Sequence, residues 1–275
     1  MQKYSVLMSL YYKEKPENLI QAIDSMINQT IKPDEIVMIY DGPLTEELYE
    51  TMDNYITQYP GLFNVIKNEK NIGLGLSLNK GVKLCKNELI ARMDTDDISK
   101  LDRCEKQLKC FEKMNIDICG TFIDEFIGDI TTKVGRRIVP ENDLDIKKFL
   151  KKRCPLNHMT VMMKKEIVIQ SGNYLDLFWN EDYYLWIRLA EKGAVFYNIV
   201  ESLVNVRVGN EMYKRRGGIK YFKSEKYLQD YMLNHKIINI IEYISNMLKR
   251  IIIQILLPSQ IRGLIFKKFA RETAD

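Results

Sequence analysis

Two short apolar runs, Tyr4-Ser5-Val6-Leu7-Met8 and Glu35-Ile36-Val37-Met38-Ile39, bracket a stretch where Leu19, Ile23, Met26 and Ile27 recur at helical spacing after Pro16. Strand, helix, strand is the most restrictive pattern in the chain. Strands separated by a helix pack as parallel neighbours with a right-handed crossover, which points to an α/β sheet. The alternation continues with a helix over Glu46 to Tyr59, a strand over Phe63-Asn64-Val65-Ile66, a helix over Leu76 to Lys86 and a third buried run, Leu89-Ile90-Ala91.

Open α/β sheets place ligands at the carboxyl ends of their strands, so the residues that follow each run are the informative ones. The second run ends in Tyr40-Asp41-Gly42-Pro43, where Asp41 is either a ligand contact or the first residue of an Asp-Gly turn. The loop Asn68 to Gly75 carries Gly73 and Gly75 ahead of a helix whose amino end could receive anionic oxygen. The run Leu89-Ile90-Ala91 leads into Arg92-Met93-Asp94-Thr95-Asp96-Asp97, three carboxylates in four residues. Adjacent anions repel unless a cation joins them, and a hard divalent ion carrying phosphates does so with oxygen ligands. A solvated turn capping the next helix accounts for the same residues.

Beyond the acidic cluster the pattern predicts a helix to Met114, a strand over Asp117 to Phe122, and an irregular middle around Gly135-Arg136-Arg137. A helix near Asn142 to Lys152 follows, and then a loop from Pro155 into a strand ending at Met163. His158 stands at that strand's start, as a site residue or a surface histidine. Trp179, Glu181, Asp182 and Trp186 belong to a stretch whose apolar positions make a helix face, with Gly193 as its C-cap. Glu181 and Asp182 fall at the amino end, as helix-dipole partners or as an acid pair beside two tryptophans.

Apolar residues make up 46% of the 275, enough for a sizeable core. Five scattered cysteines without C-x-x-C spacing argue for a reducing compartment and against a thiolate metal site. No charged and apolar leader precedes the first strand, so the expected location is cytoplasmic. The net charge of +4 is uneven: residues 212–275 hold 13 Lys and Arg against 5 Asp and Glu. The body, slightly acidic, does not suit nucleic acid, and the basic segment suits an anionic surface. Ile237, Ile240, Ile241, Ile244, Leu248, Ile251 and Ile255 lie along one side of a helix, with Asn239, Glu242, Asn246, Lys249, Arg250 and Gln254 on the other. Charges interrupt this helix, so it is expected to lie in a membrane interface rather than to span. A second basic stretch after Pro258, with Arg262, Lys267, Lys268 and Arg271, has the same character. Packing of both on the body or on a second copy, as a homo-oligomer, is the alternative.

With these residues in place, the chain resembles the family 2 inverting glycosyltransferases of bacterial capsule, exopolysaccharide and O-antigen synthesis. The likeness rests on the Ser5 to Met8 strand, Ser25-Met26-Ile27-Asn28-Gln29-Thr30, Asp41-Gly42, Asn71-Ile72-Gly73-Leu74, Ala91 to Asp97, Glu181 to Trp186, and Tyr213-Lys214-Arg215-Arg216-Gly217-Gly218. It implies a GT-A type, Rossmann-like mixed sheet flanked by helices, with a C-terminal amphipathic helical tail. The catalytic domain would span 1–211, divided into a nucleotide-sugar half, 1–98, and an acceptor half, 99–211. Residues 212–275 would form the basic tail.

The resemblance further implies a UDP-sugar donor, a Mn²⁺ or Mg²⁺ ion, and a saccharide acceptor carried on a lipid diphosphate at the inner membrane face. By position, Asp41 and Gly73 would serve the nucleotide, Asp94 and Asp96 the ribose and metal region, and Asp97 with Asp96 the ion. Arg215 and Arg216 would clamp the diphosphate. Asp182 would be the general base and Glu181 its helper at the acceptor, with Trp179, Trp186 and His158 lining the acceptor side. Tyr40 replaces an acid common in the family, and the Q-x-x-R-W segment of processive synthases is absent, which favours transfer of a single sugar. A sugar nucleotidyltransferase would show a glycine-rich basic loop after the first strand, where Ser9-Leu10-Tyr11-Tyr12-Lys13 stands. A catalytically silent scaffold in a polysaccharide assembly complex would tolerate loss of the acids, all of which are present.

Overall fold

β1 (Tyr4–Leu10) and β2 (Glu35–Tyr40) run parallel, in register from Ser5 opposite Glu35 to Leu10 opposite Tyr40. The structure, a computed structural model, describes residues 2–209 and 217–258. β3 (Phe63–Lys67) lies parallel beyond β2, and β4 (Leu89–Arg92) lies parallel on the other side of β1 with Arg92 opposite Leu7. The order β3-β2-β1-β4 therefore reverses its direction of growth between β1 and β4, which opens a crevice at the carboxyl ends of these strands.

Both faces of the inner strands are covered, so β1, β2 and β4 are buried along nearly their whole length rather than alternating, while β3 at the edge exposes Asn64 and Lys67. Val6, Met8 and Met38 face α1 (Pro16–Ile27) and α2 (Glu46–Gln58), while Leu7, Val37 and Ile39 face α3 (Leu74–Leu84). α1 opens on Pro16 and buries Leu19, Ile23 and Met26, as the helical spacing requires. α3 starts at Leu74, two residues earlier than the sequence pattern indicates, because Gly73 at φ +90° supplies the sharp entry.

The sheet continues past β4 with mixed directions. β8 (Met162–Lys164) runs antiparallel to β4 and to β6 (Ile118–Phe126), which pairs in parallel with β9 (Phe196–Arg207). β5 (Ile98–Ser99) closes the far edge on β9, and β7 (Lys133–Arg137) adds to β6. The β6–β9 register shifts between Thr121 and Ile123, a bulge that bends the strands. β7 forms in the stretch whose pattern reads as irregular, and β6 extends four residues past Phe122. The helices of this half are α4 (Arg103–Lys113), α5 (Asp143–Leu150), α6 (Lys165–Gln170) and α7 (Glu181–Glu191), with Gly193 at φ +83° behind α7.

α8 (Ile219–Asn234) and α9 (Ile240–Arg250), followed by a π-helical turn over Ile251–Leu256, pack on the body. Leu228, Met232 and Ile238 enter the core cluster. The orientation of α9 is the reverse of an ordinary surface helix. Its polar side is inward: Asn246 donates to the Lys151 carbonyl at 2.9 Å, and Arg250 pairs with Glu225 at 2.6 Å and donates to the Lys152 carbonyl at 3.1 Å. Its apolar side, Ile241, Ile244 and Leu248, faces outward, and Ile252 and Ile255 continue that ridge. Among the described residues no helix is long and apolar enough to cross a membrane. The expected second basic stretch beyond Pro258 lies outside the described residues.

Candidate active site

The crevice is lined first by the loop after β2. Gly42 adopts φ +91°, and a Cβ there would stand 2.6 Å from the Asn71 nitrogen, so only glycine permits the contact. That contact brings Asp41 against the loop before α3, where Oδ1 accepts from the Ile72 amide at 2.7 Å and Oδ2 from the Gly73 amide at 3.0 Å. Asp41 is buried and fixed by these bonds, yet each carboxylate oxygen has further acceptor capacity. Tyr40, in the place of a second acid, is buried under Lys67, whose ammonium lies 5.8 Å from the ring centroid.

The acidic loop follows β4. Asp94, Asp96 and Asp97 each offer a carboxylate oxygen within 4.8 Å of the others. Three hard oxygen donors at this spacing suit Mg²⁺ or Mn²⁺, so the residues fit the ion the sequence implies. The strand beneath them supplies Arg92, which sequence reasoning left without a role. Its side chain is almost completely buried, and Nη2 reaches Asp94 Oδ1. Burial, then the neighbouring Asp94 and Glu14, push the Asp96 carboxyl up to about 7. Asp97 rises well above the carboxylate range for the same reasons, burial first and its two acidic neighbours next.

A second residue missed by sequence reasoning is Arg207, at the end of β9. Its amide donates to Asp97 Oδ1 at 2.9 Å, its Nε to the Asp96 carbonyl at 3.2 Å, and its Nη2 to Gln21 at 2.7 Å. The acidic loop is thus held by a strand more than a hundred residues downstream. Nothing in the local pattern around Arg207 signals this, since the contact exists only once β5 has paired with β9.

Glu181 and Asp182 open α7. Gly75 of α3 lies so close that a Cβ there would come within 3.0 Å of the Glu181 Cβ, which ties the amino ends of α3 and α7 together. Asp182 Oδ1 accepts from the Tyr183 amide at 2.7 Å, and the Cys154 thiol lies 3.7 Å from Oδ2. Burial and then Asp182 push Glu181 up to about 7, and Asp182 is raised chiefly by burial. Arg92 pulls against these rises at Asp96, Asp97, Glu181 and Asp182 alike. One buried guanidinium therefore sits among both acid sets. A half-buried acid pair whose proton affinity is raised suits proton transfer near neutral pH.

Asp182 lines a cavity of about 300 Å³ together with Trp179, Asn180 and Arg137. Trp179 is the one expected aromatic that does so, 46% exposed and stacked on Phe178 at 4.5 Å. Two acceptor-side expectations are corrected. Trp186 is fully buried in the core behind α7, because the inward face of that helix is where an apolar ring gains most from burial. His158 is not at the surface of a strand but in a 3-10 turn, His158–Thr160, nearly buried between Tyr174 and Trp186. Its Nε2 is 2.9 Å from the Tyr174 hydroxyl, and burial depresses its pKa well below normal, so it is a neutral supporting ring. Arg215 and Arg216 lie outside the described residues.

Comparison with known proteins agrees with this geometry. The family model described as Glycosyl transferase family 2 matches residues 5–169. The amylovoran biosynthesis glycosyltransferase AmsE of Erwinia amylovora is 40% identical over 223 residues, covering 81% of this chain and 82% of that one. An Escherichia coli protein named UDP-Gal:alpha-D-GlcNAc-diphosphoundecaprenol beta-1,3-galactosyltransferase is 36% identical over 270 residues, covering 98% of this chain and 97% of its own length. Among solved structures, S. aureus TarS 1–349 in complex with UDP-GlcNAc superposes with a TM-score of 0.67 at 15% identity, covering 91% of this chain and 72% of that one. The fold is that of the GT-A type transferases.

Proposed function

Because the chain belongs to glycosyl transferase family 2, we propose that it is an inverting, non-processive enzyme that moves one sugar from a UDP-sugar to a lipid-diphosphate-linked saccharide in surface polysaccharide synthesis. The observation that carries this reading is the gathering of two acid sets, Asp94/Asp96/Asp97 and Glu181/Asp182, about the buried Arg92. One set, joined by a divalent ion, would suit a nucleotide diphosphate, and the other suits a hydroxyl that must lose its proton. The name borne by the E. coli relative, at nearly full coverage, supports the choice of donor and acceptor class.

In this mechanism Asp182 accepts the proton of an acceptor hydroxyl while that oxygen bonds the anomeric carbon. The bond from that carbon to the UDP oxygen breaks on the opposite face, and configuration inverts. Glu181, beside Asp182, holds the acceptor and keeps the pair's charge shared. Asp41 binds the uracil, oriented by the Ile72 and Gly73 amides. Asp96 and Asp97, with Asp94, would hold Mn²⁺ or Mg²⁺, which when bound neutralises charge on the diphosphate. Arg92 keeps these acids ionised at lower pH than burial alone would allow, and Arg207 fixes the loop.

The outward apolar ridge of α9 seats on the inner membrane face, where its isoleucines and Leu248 leave water. A panel of UDP-sugars with Mn²⁺, offered with an undecyl diphosphate-linked N-acetylglucosamine, tests the reading. One donor is expected to give a single-sugar product of inverted anomeric configuration, read by proton NMR coupling. Retention of configuration, or no transfer from any donor, would sink it.

A further inference from the structure

The cavity at Asp182 has a chemical character that the transfer mechanism does not use. At about 300 Å³ it reaches the lower bound of the ~300–1,000 Å³ typical of small-molecule sites. Arg137 lines it from the end of β7, Lys152 and Arg153 from the segment after α5, and Lys249 and Arg250 from α9. The carboxylates among its lining residues are Asp182 and Glu225, and Glu225 is engaged by Arg250 at 2.6 Å. The wall is therefore strongly cationic where one would expect a neutral sugar site. It also contains Gln254, 8% exposed, whose Oε1 has no hydrogen-bond partner. A buried amide oxygen left without a donor is a costly arrangement that a ligand hydroxyl would relieve.

The same helix that supplies Lys249 and Arg250 presents Ile244 and Leu248 outward, 51% and 56% exposed, with Ile252 and Ile255 continuing on the next turn. Acid, cationic wall and apolar ridge are thus neighbours on one surface. We propose that this cavity is the binding site for the acceptor's diphosphate, with Lys152, Arg153 and Lys249 as its clamp. Gln254 takes a hydroxyl of the first sugar, and the hydrocarbon chain leaves along the α9 ridge. Lysine and arginine bind phosphate oxygens by charge-assisted bonds, stronger than neutral ones. The inference rests on the lipid-diphosphate acceptor proposed above, and it assigns that acceptor's anionic part to residues remote from the UDP-binding acids in sequence.

The test uses the full chain with UDP and Mn²⁺ at saturation, so that the donor site is filled. Undecyl diphosphate, below its micellar concentration, is titrated by calorimetry into the wild type and into Lys152→Ala/Arg153→Ala/Lys249→Ala. The expected result is binding by the wild type and at least about tenfold weaker binding by the triple variant. In lipid-free transfer assays the variant's KM should rise by a similar factor for the diphosphate-linked sugar, and not for undecyl N-acetylglucosamine without the diphosphate. UDP-sugar hydrolysis should be unchanged. Lys249→Glu alone, at an exposed position, should weaken the probe in the same direction and guards against a triple variant that fails to fold. Equal binding of the probe by wild type and both variants would overturn the site. So would a KM that rises equally for both acceptors. If the variants lose only sedimentation with phosphatidylglycerol vesicles, the cations serve a lipid headgroup and the proposal fails. A wild type that ignores the probe yet transfers sugar to the neutral acceptor refutes this site while leaving the transferase reading intact.

Discussion

Nη2 of Arg92 lies 2.5 Å from Oδ1 of Asp94, with the guanidinium 1% exposed and its Nε and Nη1 without hydrogen-bond partners. A buried cation held at one nitrogen is an expensive feature unless surrounding anions offset it. The acids that do so belong to two stretches nearly ninety residues apart, and Arg92 lowers the proton affinity of both sets against the larger effect of burial.

Arg92→Met should therefore shift the pH dependence of metal-assisted UDP binding. Arg92 lowers the proton affinity of Asp96 and Asp97, so its removal leaves them protonated to higher pH. The midpoint of UDP affinity against pH, measured by calorimetry with Mn²⁺, should move upward. An unmoved midpoint would mean that Arg92 only fills space.

Asp97→Asn separates charge from structure. The amide oxygen can still accept the Arg207 N–H that Asp97 Oδ1 now accepts at 2.9 Å, so thermal stability should change little. Mn²⁺-dependent UDP binding should be lost. Asp97→Ala should lose both, with about 1–3 kcal/mol of stability from the orphaned amide. Equal UDP affinity with and without Mn²⁺ in the wild type would remove the ion from the site.

Asp182→Asn should cut sugar transfer by about 10² to 10⁴ while UDP and metal still bind. Initial rates with saturating donor, set beside calorimetric UDP binding, check this. Full turnover in the variant would take the proton-accepting role from Asp182.

The metal-free protein should lose stability as pH rises from about 5 to about 7. Asp96 and Glu181 both titrate near 7 when folded, against roughly 4 when unfolded, so in this window the folded state binds the extra protons. Carboxyls held low, such as Asp124 at about 2 under Arg136 and Lys133, act only in more acidic solution. Melting temperature by calorimetry should fall across the window, and Mn²⁺ with UDP at pH 8 should restore it, since ligands of the folded state stabilise it. A flat profile in Asp96→Asn/Glu181→Gln would assign the effect.

Ile244→Glu/Leu248→Glu should release the protein from vesicles without lowering its melting temperature, because both side chains already face outward. Arg250→Ala should do the opposite: breaking its buried pair with Glu225 costs about 3–5 kcal/mol. Vesicle sedimentation and thermal melts on the two variants separate the ridge from its anchor. Vesicle binding undiminished in the glutamate variant would rule out the ridge.

The sequence by itself determined the parallel half of the sheet, the acids at its strand ends and the acid pair opening α7, because each is written in local periodicity and in residues adjacent along the chain. Tertiary structure alone decided the rest. β9 interrupts its apolar run with Asn198, Glu201, Ser202 and Asn205, and Asn198 is buried because its amide reaches the carbonyl of Pro140 at 2.6 Å. No local pattern announces that strand, nor the bond from its Arg207 to Asp97. The amphipathic spacing of α9 was legible but not which side would face the body. There the polar side is buried, since Asn246 and Arg250 find backbone carbonyls and Glu225 waiting, and hydrogen-bond partners supplied from a distance outweigh the burial an isolated helix would seek for its isoleucines.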